Sequence, residues 1–238
     1  MADKNDSFLS RTALLLGEEA ISKLSATRVA IFGIGGVGGY ALEALVRTGI
    51  GHITVIDSDT VSESNLNRQI IATRDTVGRS KVEVAKERAM LINPDCEILT
   101  VEGFYPDVDV DLGSFDYIID AIDSVNAKCT LIERATTLGV PIISSMGTAG
   151  KLDPTALEVS DIYKTNTCPL ARSVRSELKR RGVKKLKVVY SRELGRSETV
   201  EDKITGATYT RRVPGSVIFV PAAAGLILAS EAVRDIIS

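Results

Sequence analysis

The stretch Arg28–Asp57, RVAIFGIGGVGGYALEALVRTGIGHITVID, decides how the rest of the chain is read. Arg28–Phe32 is a short apolar run bounded by glycine and reads as a buried strand. Gly33, Gly35, Gly36 and Gly38 follow at once as G-x-G-G-x-G. Tyr40–Thr48 then carries apolar residues at helical spacing and stops at Gly49. His52–Asp57 reads as a second strand, closing a β-α-β unit of the length a parallel crossover needs. Glycines at that turn let the backbone approach an anion, and the helix that follows offers unpaired N–H donors with partial positive charge. Asp57 ends the second strand 19 residues after Gly38, where a carboxylate can accept from ribose hydroxyls. Any adenine nucleotide satisfies this much of the pattern, and a glycine turn kept for packing is the plainer alternative.

Outward from that unit the alternation continues. Leu14–Leu24 reads as a short N-terminal helix, and Lys81–Ile92 as a charged amphipathic helix stopped by Asn93-Pro94. Glu97–Val101, Tyr117–Asp120 and Pro141–Ser145 read as strands, with a helix at Ala127–Leu138 ended by Gly139. Such a succession predicts an α/β fold, a doubly wound, Rossmann-like, mostly parallel sheet. After Gly150 the rhythm changes to short strands, a basic helix at Pro169–Arg181 and a strand at Leu186–Ser191. The polar stretch Gly195–Gly215 is long for a connection and is expected to be functional or mobile. Val217–Ala229 is read as a buried C-terminal helix. One domain over 1–238 is expected: a helical arm (1–26), a nucleotide-binding core (27–150) and a substrate side (151–238).

With 238 residues, 44% apolar and 25% charged at a net charge of −2, the chain can bury a core and is neither disordered nor collagen-like. The longest apolar stretch falls short of the ~20 residues that span a bilayer. Met1–Ser10 lacks a signal-peptide pattern. A cytoplasmic chain without a membrane partner is therefore expected. Cys96, Cys129 and Cys168 are far apart and form no C-x-x-C pair, which argues against a disulfide framework and a tetrathiolate zinc site. The one histidine, His52, reads as an ordinary turn residue, so no histidine-based triad is expected.

Beyond Asp57 come Asp59, Asn65, Asn67, Arg68 and Gln69, then Lys81 at the start of the next helix. Two cations among amides suit a triphosphate better than the pyrophosphate bridge of a nicotinamide cofactor. Arg68 would grip phosphate oxygens as a fork and Lys81 as a point charge. A solvated charged surface is the alternative for each. Asp120-Ala-Ile-Asp123 sets two carboxylates at a strand end, the ligand edge of a doubly wound sheet. Asp123 suits Mg²⁺ held largely by phosphates, or equally an N-cap for the following helix.

Taken together, Gly33–Gly38, Asp57-Ser-Asp59, Asn65-Leu-Asn-Arg68-Gln69, Lys81 and Asp120–Asp123 resemble the ubiquitin-activating-enzyme-like (ThiF-type) adenylating superfamily, from about Arg11 to Met146. The resemblance implies adenylation of a carboxylate, with ATP held by the four turn glycines, Asp57, Asp59, Asn65, Arg68 and Lys81. It further implies Mg²⁺ on Asp123, catalytic roles for Arg68, Lys81 and Asp123, and a homodimer in which Arg11 reaches the partner's phosphates. Asp161–Arg172, Arg181–Ser191 and Pro214–Gly225 are similar to one branch, the tRNA threonylcarbamoyladenosine dehydratases. For that branch the expected activity is ATP-dependent cyclisation of N6-threonylcarbamoyladenosine in tRNA, with release of AMP and pyrophosphate. The alternative is activation of the C-terminal glycine of a ubiquitin-like or sulfur-carrier protein. The resemblance leaves room for a monovalent cation and a sulfur-acceptor partner, and none for zinc. Cys168 stands where aspartate is common in the branch.

Residues 172–187 hold Arg172, Arg175, Lys179, Arg180, Arg181, Lys184, Lys185 and Lys187 against Glu177 alone, a local charge of +7 on a chain whose total is −2. A solvated face is the plainer reading of such a run. A concentrated patch on an otherwise acidic chain is also the footprint of phosphate contact, so these eight are the candidates for RNA binding.

Overall fold

In the computed structural model, residues 7–201, 208–212 and 215–238 are described. Two short helices lead in, α1 (Ser10–Leu16) and α2 (Glu18–Ala26). The single helix expected over Leu14–Leu24 is broken at Gly17, whose φ of +88° no helix accommodates.

Seven strands then build one sheet: β1 (Arg28–Phe32), β2 (His52–Asp57), β3 (Glu97–Glu102), β4 (Tyr117–Asp120), β5 (Ile142–Ser145), β6 (Leu157–Asp161) and β7 (Lys187–Ser191). Their order is β3-β2-β1-β4-β5-β7-β6. All pairs are parallel except β6 with β7. Strand order reverses between β1 and β4, and a crevice opens over the carboxyl ends of the strands at such a switch point. Phe32 pairs with Ile56 on one side and Asp120 on the other, so the three strand ends finish level.

Both faces are covered, as a parallel sheet requires. Val29 and Ile31 of β1 enter a core shared with α3 (Gly38–Thr48), α4 (Lys81–Ile92) and the C-terminal helix α7 (Phe219–Ile237). Ala30 and Phe32 face the opposite layer, built with α5 (Val125–Leu138). A third cluster packs α5 and α6 (Pro169–Arg180) on β7. Phe32 is fully buried, and side chains of that size contribute roughly 1.5–3 kcal/mol each when withdrawn from water. Among the described residues no helix is long and apolar enough to cross a membrane.

Gly195–Gly215 departs from the expected loop. Ser197–Glu201 (β8) and Thr208–Arg212 (β9) pair as an antiparallel ribbon, Ser197 opposite Arg212 and Glu201 opposite Thr208. The remainder of that expectation, 202–207 and 213–214, lies outside the described residues. The Thr- and Val-containing run SETVE and the run TYTRR carry the strand preference that the polar composition hid. Both feet of the ribbon meet Gly150: the Arg196 N–H donates to its carbonyl at 2.9 Å, and its own N–H donates to the Gly215 carbonyl at 2.7 Å.

Candidate active site

The main cleft, about 790 Å³, lies over the carboxyl ends of β1, β2, β4 and β5. Gly33, Gly35, Gly36, Asp57, Asp59, Asn65, Arg68, Lys81 and Asp123 all line it. The predicted nucleotide residues therefore converge on one place, with one exception. Gly38 is outside the lining; a Cβ there would lie 1.8 Å from the Gly33 carbonyl oxygen, so it is a packing glycine. Gly33 itself combines a φ of +89° with a site where a Cβ would meet the Ala121 carbonyl at 2.8 Å. Both features demand glycine.

Asp57 ties this turn to β2. Its Oδ2 accepts from the Ile34 N–H at 2.6 Å and its Oδ1 from the Asp59 N–H at 2.8 Å. A carboxylate has about four lone-pair positions, so acceptor capacity remains for a ribose. Lys81, buried at the first turn of α4, donates to Asp59 Oδ2 at 2.6 Å and lies 3.9 Å from Asp57 Oδ1. Asp59 is largely exposed, so its hold on Lys81 is weakened by solvent and an entering phosphate can share the ammonium.

Arg68 uses Nη1 on the Ser64 carbonyl, at 2.8 Å, and on Asn67 Oδ1, at 3.0 Å. Among the described residues Nε and Nη2 have no partner. Asn65 closes a capping box with Ser62, which shapes the loop carrying Arg68. Gln69 is buried against the cleft, and among the described residues its Oε1 has no partner. A buried acceptor left unpaired costs about 1–3 kcal/mol, which a bound donor would recover. Asp123 is exposed in the cleft. Ser124, not Asp123, precedes α5 as its N-cap, so the capping alternative falls away.

Several lining groups were not singled out from the sequence. Phe104 and Tyr105 follow β3, Ser145 ends β5 and Met146–Ala149 follow it, while Ser216 and Pro221 approach from the start of α7. The rule that ligands sit at strand carboxyl ends points to the β5 segment; the α7 contribution has no local signal. Beneath the cleft, Lys128 is fully buried and donates to Asp120 Oδ2 at 2.7 Å, Ser144 Oγ at 3.1 Å and the Ser145 carbonyl at 3.0 Å. Ser144 also donates to Asp120 Oδ2 at 2.6 Å, and Asp120 Oδ1 accepts from the Ile122 N–H at 3.0 Å. This closed network joins the ends of β4 and β5. Asp120 is thus a structural acid, and Lys128 is the buried partner that sequence reading did not find.

Arg11 is not brought to the cleft. It is exposed on α1, a helix with no buried residue, beside Leu14 and Leu15 at 88% and 83% exposure.

The basic stretch divides. Arg175 donates to the Thr165 carbonyl and hydroxyl at 2.9 and 2.7 Å. Arg181 binds Glu177, Glu133, Thr130 and Asn126. Lys187 lies 2.6 Å from Asp235, which also accepts from the Tyr117 hydroxyl. Burial alone would raise the Asp235 pKa, but these two donors overcome it and hold the carboxyl below its ordinary value. These three cations are half-buried and each is engaged by partners within the chain. Arg180 pairs with Glu177 yet stays exposed; Arg172, Lys179, Lys184 and Lys185 are exposed.

All three cysteines are free and buried. Burial pushes the thiols of Cys96 and Cys129 up to about 11. His52 pairs with Glu97 at the start of β2, away from the cleft.

Comparison with known proteins agrees with this geometry. The chain is 40% identical to the tRNA threonylcarbamoyladenosine dehydratase of Bacillus subtilis, over 96% of this chain and 94% of that protein. It is 46% identical to the Escherichia coli protein of that name over 71% of this chain and 64% of that one. The crystal structure of the E. coli enzyme TcdA in complex with AMP superposes with a TM-score of 0.83 at 38% identity, covering 95% of this chain and 92% of that chain. The complex with ATP gives 0.82 at 35% identity, covering 96% and 93%. The model of the ThiF family matches residues 9–237, and the chain belongs to that family.

Proposed function

We propose that the chain is an ATP-dependent tRNA threonylcarbamoyladenosine dehydratase of the cytoplasm. The observation that carries this reading is the convergence of the Gly33 turn, Arg68, Lys81 and Asp123, from four different elements, on one cleft. The residues fit a nucleoside triphosphate. The space over Gly36 is a cradle: a Cβ there would come within 3.3 Å of Arg68 Cγ and Pro221 Cβ. The orphaned Gln69 Oε1 needs a donor. Asp123 alone supplies a carboxylate to Mg²⁺, which is adequate where phosphates and water complete the shell.

ATP supplies a leaving group: the threonine carboxylate attacks the α-phosphorus, expelling pyrophosphate, and the carbamoyl group then attacks the activated carbonyl, expelling AMP. The net change is loss of one water from the nucleoside. The chain's part is alignment and charge neutralisation. N–H groups of the glycine turn and α3 face the phosphates, Lys81 and the free edge of Arg68 balance charge on the departing pyrophosphate, and Asp57 orients the ribose. Since the second nucleophile belongs to the substrate, no thiol is needed, which suits three buried cysteines. Incubation with ATP and tRNA carrying N6-threonylcarbamoyladenosine, followed by mass spectrometry of the nucleosides, should show loss of one water with stoichiometric AMP and pyrophosphate. Pyrophosphate exchange only with a carrier protein ending in Gly-Gly, and none with tRNA, overturns the reading in favour of the carrier-activating alternative.

A homodimer completes the proposal. Leu14 and Leu15 leave an apolar face on α1 beside Arg11, and a second copy covering that face would carry Arg11 toward the partner's triphosphate. Mixing Arg11→Ala with Asp123→Ala chains should then restore part of the activity, through the one composite site that keeps both residues. A monodisperse monomer with full activity contradicts it.

A further inference from the structure

Once Arg175, Arg181 and Lys187 are assigned to the fold, the unspent charge of the basic stretch is concentrated around one small feature. Lys179, at the end of α6, and Lys184, just beyond it, flank a second pocket of about 270 Å³ whose other walls are Tyr163 and Val183. Neither ammonium group has a hydrogen-bond or ion-pair partner among the described residues. Tyr163 is held at both ends: its N–H donates to Asp161 Oδ1 at 2.8 Å, and its hydroxyl donates to the Val183 carbonyl. The ring is therefore fixed and part-buried, in a pocket that both lysines also line. The volume is slightly below the ~300 Å³ at which small-molecule pockets begin, enough for one flat ring. α6 links this pocket to the main cleft. Leu170 lines the cleft, and Lys179 is nine residues further along, about 14 Å at 1.5 Å per residue.

We propose that the Tyr163–Lys179–Lys184 pocket holds one unstacked base of the RNA substrate, a few nucleotides from the one in the cleft; this rests on the tRNA reading above. An aromatic face flanked by cations is how single-stranded nucleic acid is gripped without sequence readout, the ring stacking the base and the ammonium groups neutralising its phosphates. Tyr163 is the aromatic element that the sequence of the basic stretch lacks, brought to it from the turn before α6.

The chain contains no tryptophan, so a Tyr163→Trp variant carries a single indole reporter at the proposed stacking site. Its fluorescence should be quenched by tRNA and by a short single-stranded oligonucleotide, and not by heparin, a polyanion without bases. Tyr163→Ala should weaken tRNA binding about tenfold with an unchanged salt slope. Lys184→Gln should lower that slope by about one, and ATP affinity should be unaltered in both. Equal quenching by heparin, or by an acidic peptide, would make this a plain anion or protein site and overturn the proposal. So would tRNA binding by the Tyr163→Trp chain with no change in its indole fluorescence. Failure of the wild-type chain to bind tRNA would instead bring down the substrate reading on which the proposal rests.

Discussion

Alanine at Arg68 or Lys81 lowers ring-forming turnover by at least ~100-fold, because a charge stabiliser aimed at the reacting group contributes roughly 2.7–4 kcal/mol. The structure makes the two losses distinguishable. Arg68 is anchored through Nη1 to Ser64 and Asn67, so Arg68→Lys keeps the charge and loses the fork, and should recover little. Lys81 is buried but its partner Asp59 faces water, so Lys81→Ala should cost activity far more than melting temperature. Asp123→Ala should match these losses and also shift the Mg²⁺ concentration needed for half-maximal rate. Turnover near the wild-type value in all three variants would remove the triphosphate from this cleft.

The largest effect on stability is expected at Lys128. Lys128→Met leaves Asp120 fully buried without its cation, and breaking a buried pair on one side costs ~3–5 kcal/mol. For a chain of this size that lowers the melting temperature by roughly 10 °C. Adding Asp120→Asn should return part of the loss, since the amide oxygen still accepts from the Ile122 N–H while the unpaired charge is gone. Urea unfolding of the two variants measures both steps. A single-variant loss below ~1 kcal/mol would mean that water reaches the network.

The core from β1 to β5 was legible because each of its elements carries its own local signature. Arg28–Phe32 is apolar on both faces, α3 and α5 end in left-handed glycines at Gly49 and Gly139, and Asn93-Pro94 stops α4. The residues that line the cleft were legible for the same reason: they sit at element ends, where glycine, amide and charge stand out from apolar runs. What escaped was non-local. Lys128 looks like any surface lysine of an amphipathic helix until the sheet places Asp120 and Ser144 against it. Arg175, Arg181 and Lys187 looked free because their partners lie in separate elements, Lys187 being 48 positions from Asp235. The break at Gly17 and the ribbon after Gly195 were misread because one glycine or one polar run is compatible with several local conformations.

The ribbon has a further consequence. Its two feet return to a single residue, Gly150, so the excursion between them begins and ends at nearly the same point. The closure is already made at its base, and the entropy of a longer tip grows only with the logarithm of its length, about 0.6 kcal/mol per doubling. Related chains can therefore differ widely in how far this segment extends while the sheet and cleft stay in register. It is the natural place in the fold for evolutionary insertions, and for an experimentalist to graft a tag.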